Sequence, residues 1–246
     1  AYDFNILPGY SEGVRYSYEE GDVFFCASLL SGYGDGEGRL GRLGGSNHAI
    51  PREEDGENPL DSNYAIELAG SYVMDDLTLF LGGYFEENKA NSTSQRDGNT
   101  YLINAYATFE TGAWLFAGEV NFGDSETGVF NIDPVNDGTA NLVGRGNITG
   151  SDVDALSALI MANFAYCDEA SITGRISYEK LDFTTATLPD TDVSSFKYTL
   201  AHGYAFTDNL FLVTEVSYTL AEVDVSGLAD VDTDSFEAAV ELIFAF

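Results

Sequence analysis

The chain has 246 residues, 44% apolar and 13% aromatic, a composition that excludes a disordered polymer and a length that suits one large β domain or two smaller ones. Its formal charge of −31, from 41 acidic against 10 basic side chains, argues against nucleic acid as a partner, because phosphate binding is driven by Lys and Arg. The longest apolar run falls far short of the roughly 18 residues of a membrane helix, but a spanning β-strand needs only about 9–11 residues with every second one apolar.

Alternation of period two recurs along the whole chain. In order, strands are expected at 2–7, 13–20, 22–33, 63–74, 77–88, 100–111, 114–124, 154–167, 169–182, 195–206, 209–223 and 235–246, about twelve in all. In the second, Val14, Tyr16 and Tyr18 alternate with Arg15, Ser17 and Glu19; in the ninth, Ile172, Gly174, Ile176 and Tyr178 alternate with Thr173, Arg175, Ser177 and Glu179. The short connections "SYEEGDVFF", "SYVMDDLTL", "TFETGAWLF", "AYCDEASIT" and "YAFTDNLFL" repeat one hairpin design: an aromatic-ended strand, a few polar residues and a fresh apolar start. Between these hairpins run longer polar stretches at 34–62, 87–99, 125–153, 183–194 and 224–234. Short turns at one end and long loops at the other are the organisation of a membrane barrel, and no linker divides residues 1–246 into two domains. With neither an initiator Met nor a signal peptide, the sequence reads as a mature exported chain or as a fragment.

Alternation alone does not say which face is inside. The polar face carries Arg15, Glu67, Glu119, Arg175, Glu179, Lys197, Glu215 and Glu241 beside the small residues Ala65, Ala69, Ala117 and Ala239, which suits a crowded wet lumen. The apolar face carries aromatics near strand ends, among them Tyr64, Tyr72, Tyr101, Phe109, Trp114, Phe122, Tyr166, Tyr178, Phe196, Tyr204 and Tyr218, as an interfacial girdle does.

The final strand, "FEAAVELIFAF", places Phe236, Ala238, Val240, Leu242, Phe244 and Phe246 at alternate positions. It resembles the C-terminal signature of bacterial outer-membrane β-barrels, with Phe244 and Phe246 as the signal read by the barrel-assembly machinery. The repeats "EGVRYSYEEGDVFFCASLLSGYG", "ASITGRISYEKLD" and "YAFTDNLFLVTEVSY" are similar to those of the OmpL-like β-barrel porin family. The resemblance implies an all-β, antiparallel, up-and-down transmembrane barrel in the outer membrane, with short periplasmic turns and long extracellular loops. Its last strand would pair with its first, and its neighbours would be lipid and lipopolysaccharide.

Catalytic signals are nearly absent, and no enzyme is expected. The only histidines are His48, in the longest loop, and His202, near a short turn, so an outer-membrane hydrolase would have to be built on one of them. No cofactor is expected either. The one metal reading is Ca²⁺ in "DVDTD", where Asp230, Asp232 and Asp234 alternate without the Gly and distal Glu of an EF-hand loop. Cys26 and Cys167 allow one disulfide or two free thiols.

The expected function is passive diffusion of ions and small hydrophilic solutes. About twelve strands exceed the roughly eight whose interior side chains fill, and fall short of the 16–18 of wide porins, so the channel should be narrow. Loop 34–62 is the expected constriction, bringing Arg39, Arg42 and Arg52 against Glu53, Glu54, Asp55 and Glu57; a loop that simply covers the mouth is the alternative. Carboxylates outnumber bases on the polar face, so cations should be preferred. Ala105, Ala107, Ala158 and Ala162 offer a flat outward patch for a homo-oligomer. The competing reading is a closed structural or adhesive barrel whose acidic loops hold partners or divalent cations.

Overall fold

The computed structural model describes residues 13–31, 64–88, 98–131, 147–185, 189–207 and 209–245. They form one antiparallel sheet whose spatial order is the chain order. The strands are β1 (Gly13–Glu20), β2 (Val23–Ser31), β3 (Tyr64–Met74), β4 (Leu77–Asn88), β5 (Gly98–Thr111), β6 (Trp114–Asn131), β7 (Asn147–Cys167), β8 (Ala170–Thr185), β9 (Thr191–Thr207), β10 (Leu210–Val225) and β11 (Val231–Phe244). Among the described residues no helix is long and apolar enough to cross a membrane.

The short connections sit together at one end of the sheet. Two of them begin with a glycine in the left-handed region, Gly21 (φ 57°) and Gly112 (φ 60°), and a third with Asp75 (φ 41°). A positive φ at the first loop residue matches the right-handed twist of the flanking strands, so the chain reverses in two residues. Each turn also extends the next ladder: Val73 donates to the Asp22 carbonyl, Glu110 to Asp76, Ala165 to Ala113, Ala205 to Glu169 and Ala245 to Asn209.

The two faces of the sheet differ sharply in burial. On β7, Ala155 is 1% exposed while its outward neighbour on the same strand, Ile160, is 62% exposed. The sheet therefore curls around the face that carries Cys26, Ser28, Asn121, Ser157 and Ser177, all buried. The outward face is apolar for five positions from the turns: on β6 Trp114, Phe116, Gly118, Val120 and Phe122, on β7 Phe164, Ala162, Ile160, Ala158 and Leu156. Ten residues at about 3.3 Å per residue, tilted by about 45°, span roughly 25 Å, the height of a hydrocarbon band. Aromatic contacts flank this band. Near the turns Trp114 meets Phe164 at 4.6 Å and Tyr204 meets Phe206 at 5.0 Å; toward the other end Tyr178 meets Phe196 at 4.7 Å and Tyr101 meets Phe122 at 5.9 Å.

Beyond the band the polarity inverts. The outward positions become Asp124, Asp154, Asp182, Asp192 and Asp224, while on the inward face Ala65, Tyr84, Leu102, Val153, Leu181, Phe183, Val193 and Val223 form one buried cluster, with Glu86 and Thr100 buried beside it. This inversion corrects the expected loops. The stretches 183–194 and 224–234 are mostly strand, since β8 runs to Thr185, β9 starts at Thr191, β10 runs to Val225 and β11 starts at Val231. β6 and β7 likewise extend through Asn131 and from Asn147 into the stretch expected as loop 125–153.

Two further expectations change. Eleven strands are described in place of about twelve, the expected strand 2–7 lying outside the described residues. The sheet is also open: among the described residues β1 pairs with β2 alone and β11 with β10 alone, so the last strand does not meet the first.

Candidate functional site

Strand register brings the predicted polar positions onto the curled-in face. Arg15 on β1 lies opposite Ser28 on β2, which lies opposite Glu67 on β3. The Arg15 guanidinium reaches Glu67 Oε2 at 2.5 Å through Nη2 and donates through Nε to Ser28 Oγ at 3.0 Å, while Ser28 donates to the same Glu67 oxygen at 2.8 Å. Three strands are thus tied by one charged triad.

The middle of the wall is an amide network. Asn104 Nδ2 donates to Glu119 Oε1 at 2.9 Å and to Asn121 Oδ1 at 2.6 Å; Asn121 Nδ2 donates to the same Glu119 oxygen at 3.0 Å and to Ser157 Oγ at 3.3 Å. Buried amides and hydroxyls are retained on a curved wall only when their donors and acceptors are paired, and these are. The sequence reading included Glu119 but not Asn104, Asn121 or Ser157; their signal was a polar residue at every second position, weaker to the eye than a charge. Glu86, also unanticipated, accepts from Tyr84 at 2.8 Å.

Two looser ion pairs lie toward β11. Arg175 Nη2 on β8 is 3.7 Å from Glu215 Oε2 on β10, and Lys197 Nζ on β9 is 3.4 Å from Glu237 Oε2 on β11. Glu179 is buried on the same face, and Glu241 pairs in register with Val213 near the turns. All eight expected lining residues therefore occupy one face; the structure joins Arg15 to Glu67 and Arg175 to Glu215, and leaves Glu241 apart.

The remaining candidates are placed as follows. Arg39, Arg42, Arg52, Glu53, Glu54 and Asp55 lie outside the described residues, as do His48 and Phe246. Phe244 ends β11 with its ring exposed on the outward face. Asp232 and Asp234 stand two residues apart on extended β11, with Asp230 just before it, and among the described residues no three His, Cys, Asp or Glu side chains are grouped to hold a metal. Cys26 is a buried free thiol and Cys167 an exposed one. His202 faces outward near the turns, its Nε2 2.7 Å from the Tyr166 hydroxyl.

Outside the apolar band the carboxylates stand directly opposite one another across the ladders: Asp124 to Asp154, Asp154 to Asp182, Asp182 to Asp192, Asp192 to Asp224. Like charges so placed repel. Burial, together with a hydrogen bond to Asp154 and its charge, pushes the Asp124 carboxyl up to about 6. The hydrogen bond with Asp182 pushes Asp192 up as well, while Lys180 Nζ sits 2.6 Å from Asp182 Oδ1 and offsets part of the repulsion.

Comparison with known proteins places this architecture. The profile of the family described as "Putative beta-barrel porin-2, OmpL-like" matches residues 1–246. Among solved structures, in-vitro folded OmpT, an outer membrane protein of Vibrio cholerae, is similar at a TM-score of 0.58 and 12% identity, over 94% of this chain and 63% of that one. Its loop L8 deletion mutant is similar at 0.55 and 12%, over 94% and 62%. At that identity the likeness concerns the fold, and this chain spans less than two thirds of the length of either structure. No curated protein matches the chain.

Proposed function

This chain belongs to the beta-barrel porin-2, OmpL-like family and lies in the bacterial outer membrane, and on that premise we propose that its inner face lines a narrow water-filled passage for ions and small hydrophilic solutes, with cations preferred. The observation that carries the reading is the inner wall itself. Behind an outward apolar band it presents Arg15, Arg175 and Lys197 against a larger set of carboxylates that includes Glu67, Glu119, Glu179, Glu215, Glu237 and Glu241. At physiological salt the Debye length is about 8 Å, comparable to the radius of a narrow pore, so wall charges act across it. No catalysis and no resident cofactor form part of this proposal; recognition of Phe244 and Phe246 by the assembly machinery does.

Reversal potentials in a KCl gradient test it. Replacing Glu67, Glu119 and Glu215 with Gln should lower cation selectivity markedly, whereas neutralising the acids of 224–234 should change it little. An anion-selective wild type, or equal effects from both sets, overturns the assignment of the wall. A closed structural barrel is favoured by one observation, the inward apolar cluster around Leu181 and Phe183, which offers nothing to a hydrated ion. Absence of ion-sized conductance steps from pure, folded protein would select that reading.

A further inference from the structure

We infer that the inner wall across β4 and β5 holds a binding site for neutral carbohydrate, a pyranose whose flat C–H face lies on the ring pair of Phe80 and Tyr106 while its hydroxyls meet the amide beside it. The inference rests on the reading that this face is wetted by the passage and gives that passage a preferred solute. Phe80 and Tyr106 stand directly opposite each other across the β4–β5 ladder. Both lie on the inward face, since Phe80 alternates with the exposed Leu79 and Leu81, and Tyr106 shares its side of β5 with Asn104 and the buried Leu102. Their rings stack at 4.8 Å with planes 12° apart. The buried apolar cluster nearer the loops does not include them.

Gly82 shows how the pair is seated. A Cβ there would come within 3.0 Å and 3.1 Å of two carbons of the Phe80 ring, so the ring leans over bare backbone and needs a glycine beneath it. One side of the pair is thus backed by the strand. Phe80 is half-buried, while Tyr106 is 37% exposed and is the ring that meets the lumen. An aromatic face left open on a polar wall forfeits the gain of burial, and a ligand with an apolar side restores it.

The polar rim is already oriented. Asn104, one inward position to the loop side of Tyr106 on the same strand, donates both of its bonds through Nδ2, to Glu119 Oε1 and to Asn121 Oδ1. Its own Oδ1 remains as the acceptor for a ligand hydroxyl. Glu119 faces Tyr106 across the β5–β6 ladder, but it is engaged by the amides of Asn104 and Asn121 and needs no bond to the ligand. The ring face then selects the solute. It is the negative side of an aromatic quadrupole and attracts the weakly positive hydrogens of a C–H face. A pyranose presents such hydrogens on its flat sides and hydroxyls round its edge. An open-chain polyol has the hydroxyls without the flat side; a quaternary ammonium is drawn to the ring but has no use for the amide oxygen.

Saturation-transfer-difference NMR of methyl β-D-glucopyranoside with the full chain folded in detergent micelles tests the site without requiring conduction. Saturable transfer is expected, strongest at the ring C–H protons, with D-sorbitol and choline at least fivefold weaker. Tyr106→Leu should weaken the glucoside at least fivefold. Gly82→Ala, which keeps both rings but displaces Phe80, should weaken it several-fold, both variants keeping heat-modifiable migration as a sign of folding. No saturable transfer, sorbitol or choline bound as tightly as the glucoside, or undiminished binding in either variant overturns the site. KCl conductance measured in parallel separates the two claims: conduction without glucoside preference sinks the site alone, and saturable glucoside binding without conduction sinks the passage alone.

Discussion

The lower and upper parts of each strand follow opposite rules. From Ile172 to Tyr178 β8 points apolar side chains outward and Arg175, Ser177 and Glu179 inward; a few residues further on, Lys180 and Asp182 point outward while Leu181 and Phe183 are buried inward. The same reversal occurs on β7 between Leu156 and Asp154 and on β10 between Leu220 and Asp224. Periodicity never changes across it. What changes is the solvent on each side, hydrocarbon outside and polar wall inside below, water outside and a packed apolar cluster inside above, so the sheet is a membrane wall that continues as the wall of a soluble-type core.

Substitutions break this comparison most strongly where a side chain is fully committed to its region. Phe183→Ala in the upper cluster should cost about 3–5 kcal/mol in urea unfolding of vesicle-folded protein, against about 1 kcal/mol or less for Ser177→Ala on the lower wall. Equal costs would show that the upper cluster is not a core. A cation on the outer face should reveal the boundary next: Leu200→Arg, at the middle of the apolar band, should cost roughly 2–4 kcal/mol, while Asp192→Arg, on the same face of the same strand above the band, should cost about 1 kcal/mol or less. Similar penalties at both positions would place Asp192 inside the membrane.

The smallest effect is a pH dependence confined to the upper region. Folding raises the Asp124 carboxyl from 3.8 to about 6, so the folded state binds a proton more tightly than the unfolded one. Stability should therefore rise as pH falls from 7 through about 6, reach its full gain by about 4, and be lost again on return to neutral pH. Solvent screening limits the gain to on the order of 1 kcal/mol. Asp154→Asn should remove part of this dependence, the burial of Asp124 remaining, and stabilise the protein at pH 7; an unchanged slope in urea titrations across that range would show that the pair is not coupled.

The lower region was legible in the sequence because its outward residues are greasy and aromatic and its inward ones charged. Tyr178, Phe196 and Tyr218, expected as part of a girdle, do stand on the outward face, and Arg15 and Glu67, expected on the polar face, share the inward one, where they also form an ion pair that the sequence did not announce. The upper region was misread for a physical reason. Thr184, Asp192 and Asp224 are residues typical of loops, and the apolar neighbours that mark them as strand, Phe183, Val193 and Val225, alternate in the opposite phase to the strand below. A reading that fixes which face is greasy sees such a phase reversal as an end. The amides of the lower wall escaped for another reason: Asn104 and Asn121 become a network only through the register of β5 with β6, which no single strand displays.

The opposed carboxylates beyond the apolar band bear on how the protein comes to rest in the bilayer. In an outer-membrane barrel the turns are periplasmic, so these acids are the leading tips that must traverse the hydrocarbon during insertion. A charged carboxylate that has reached water can return through hydrocarbon only by giving up its hydration, which is costly. Standing in water on the far side, the row resists withdrawal. Each of β6 to β10 then carries its own barb, set by the same residues that mark where the membrane wall ends.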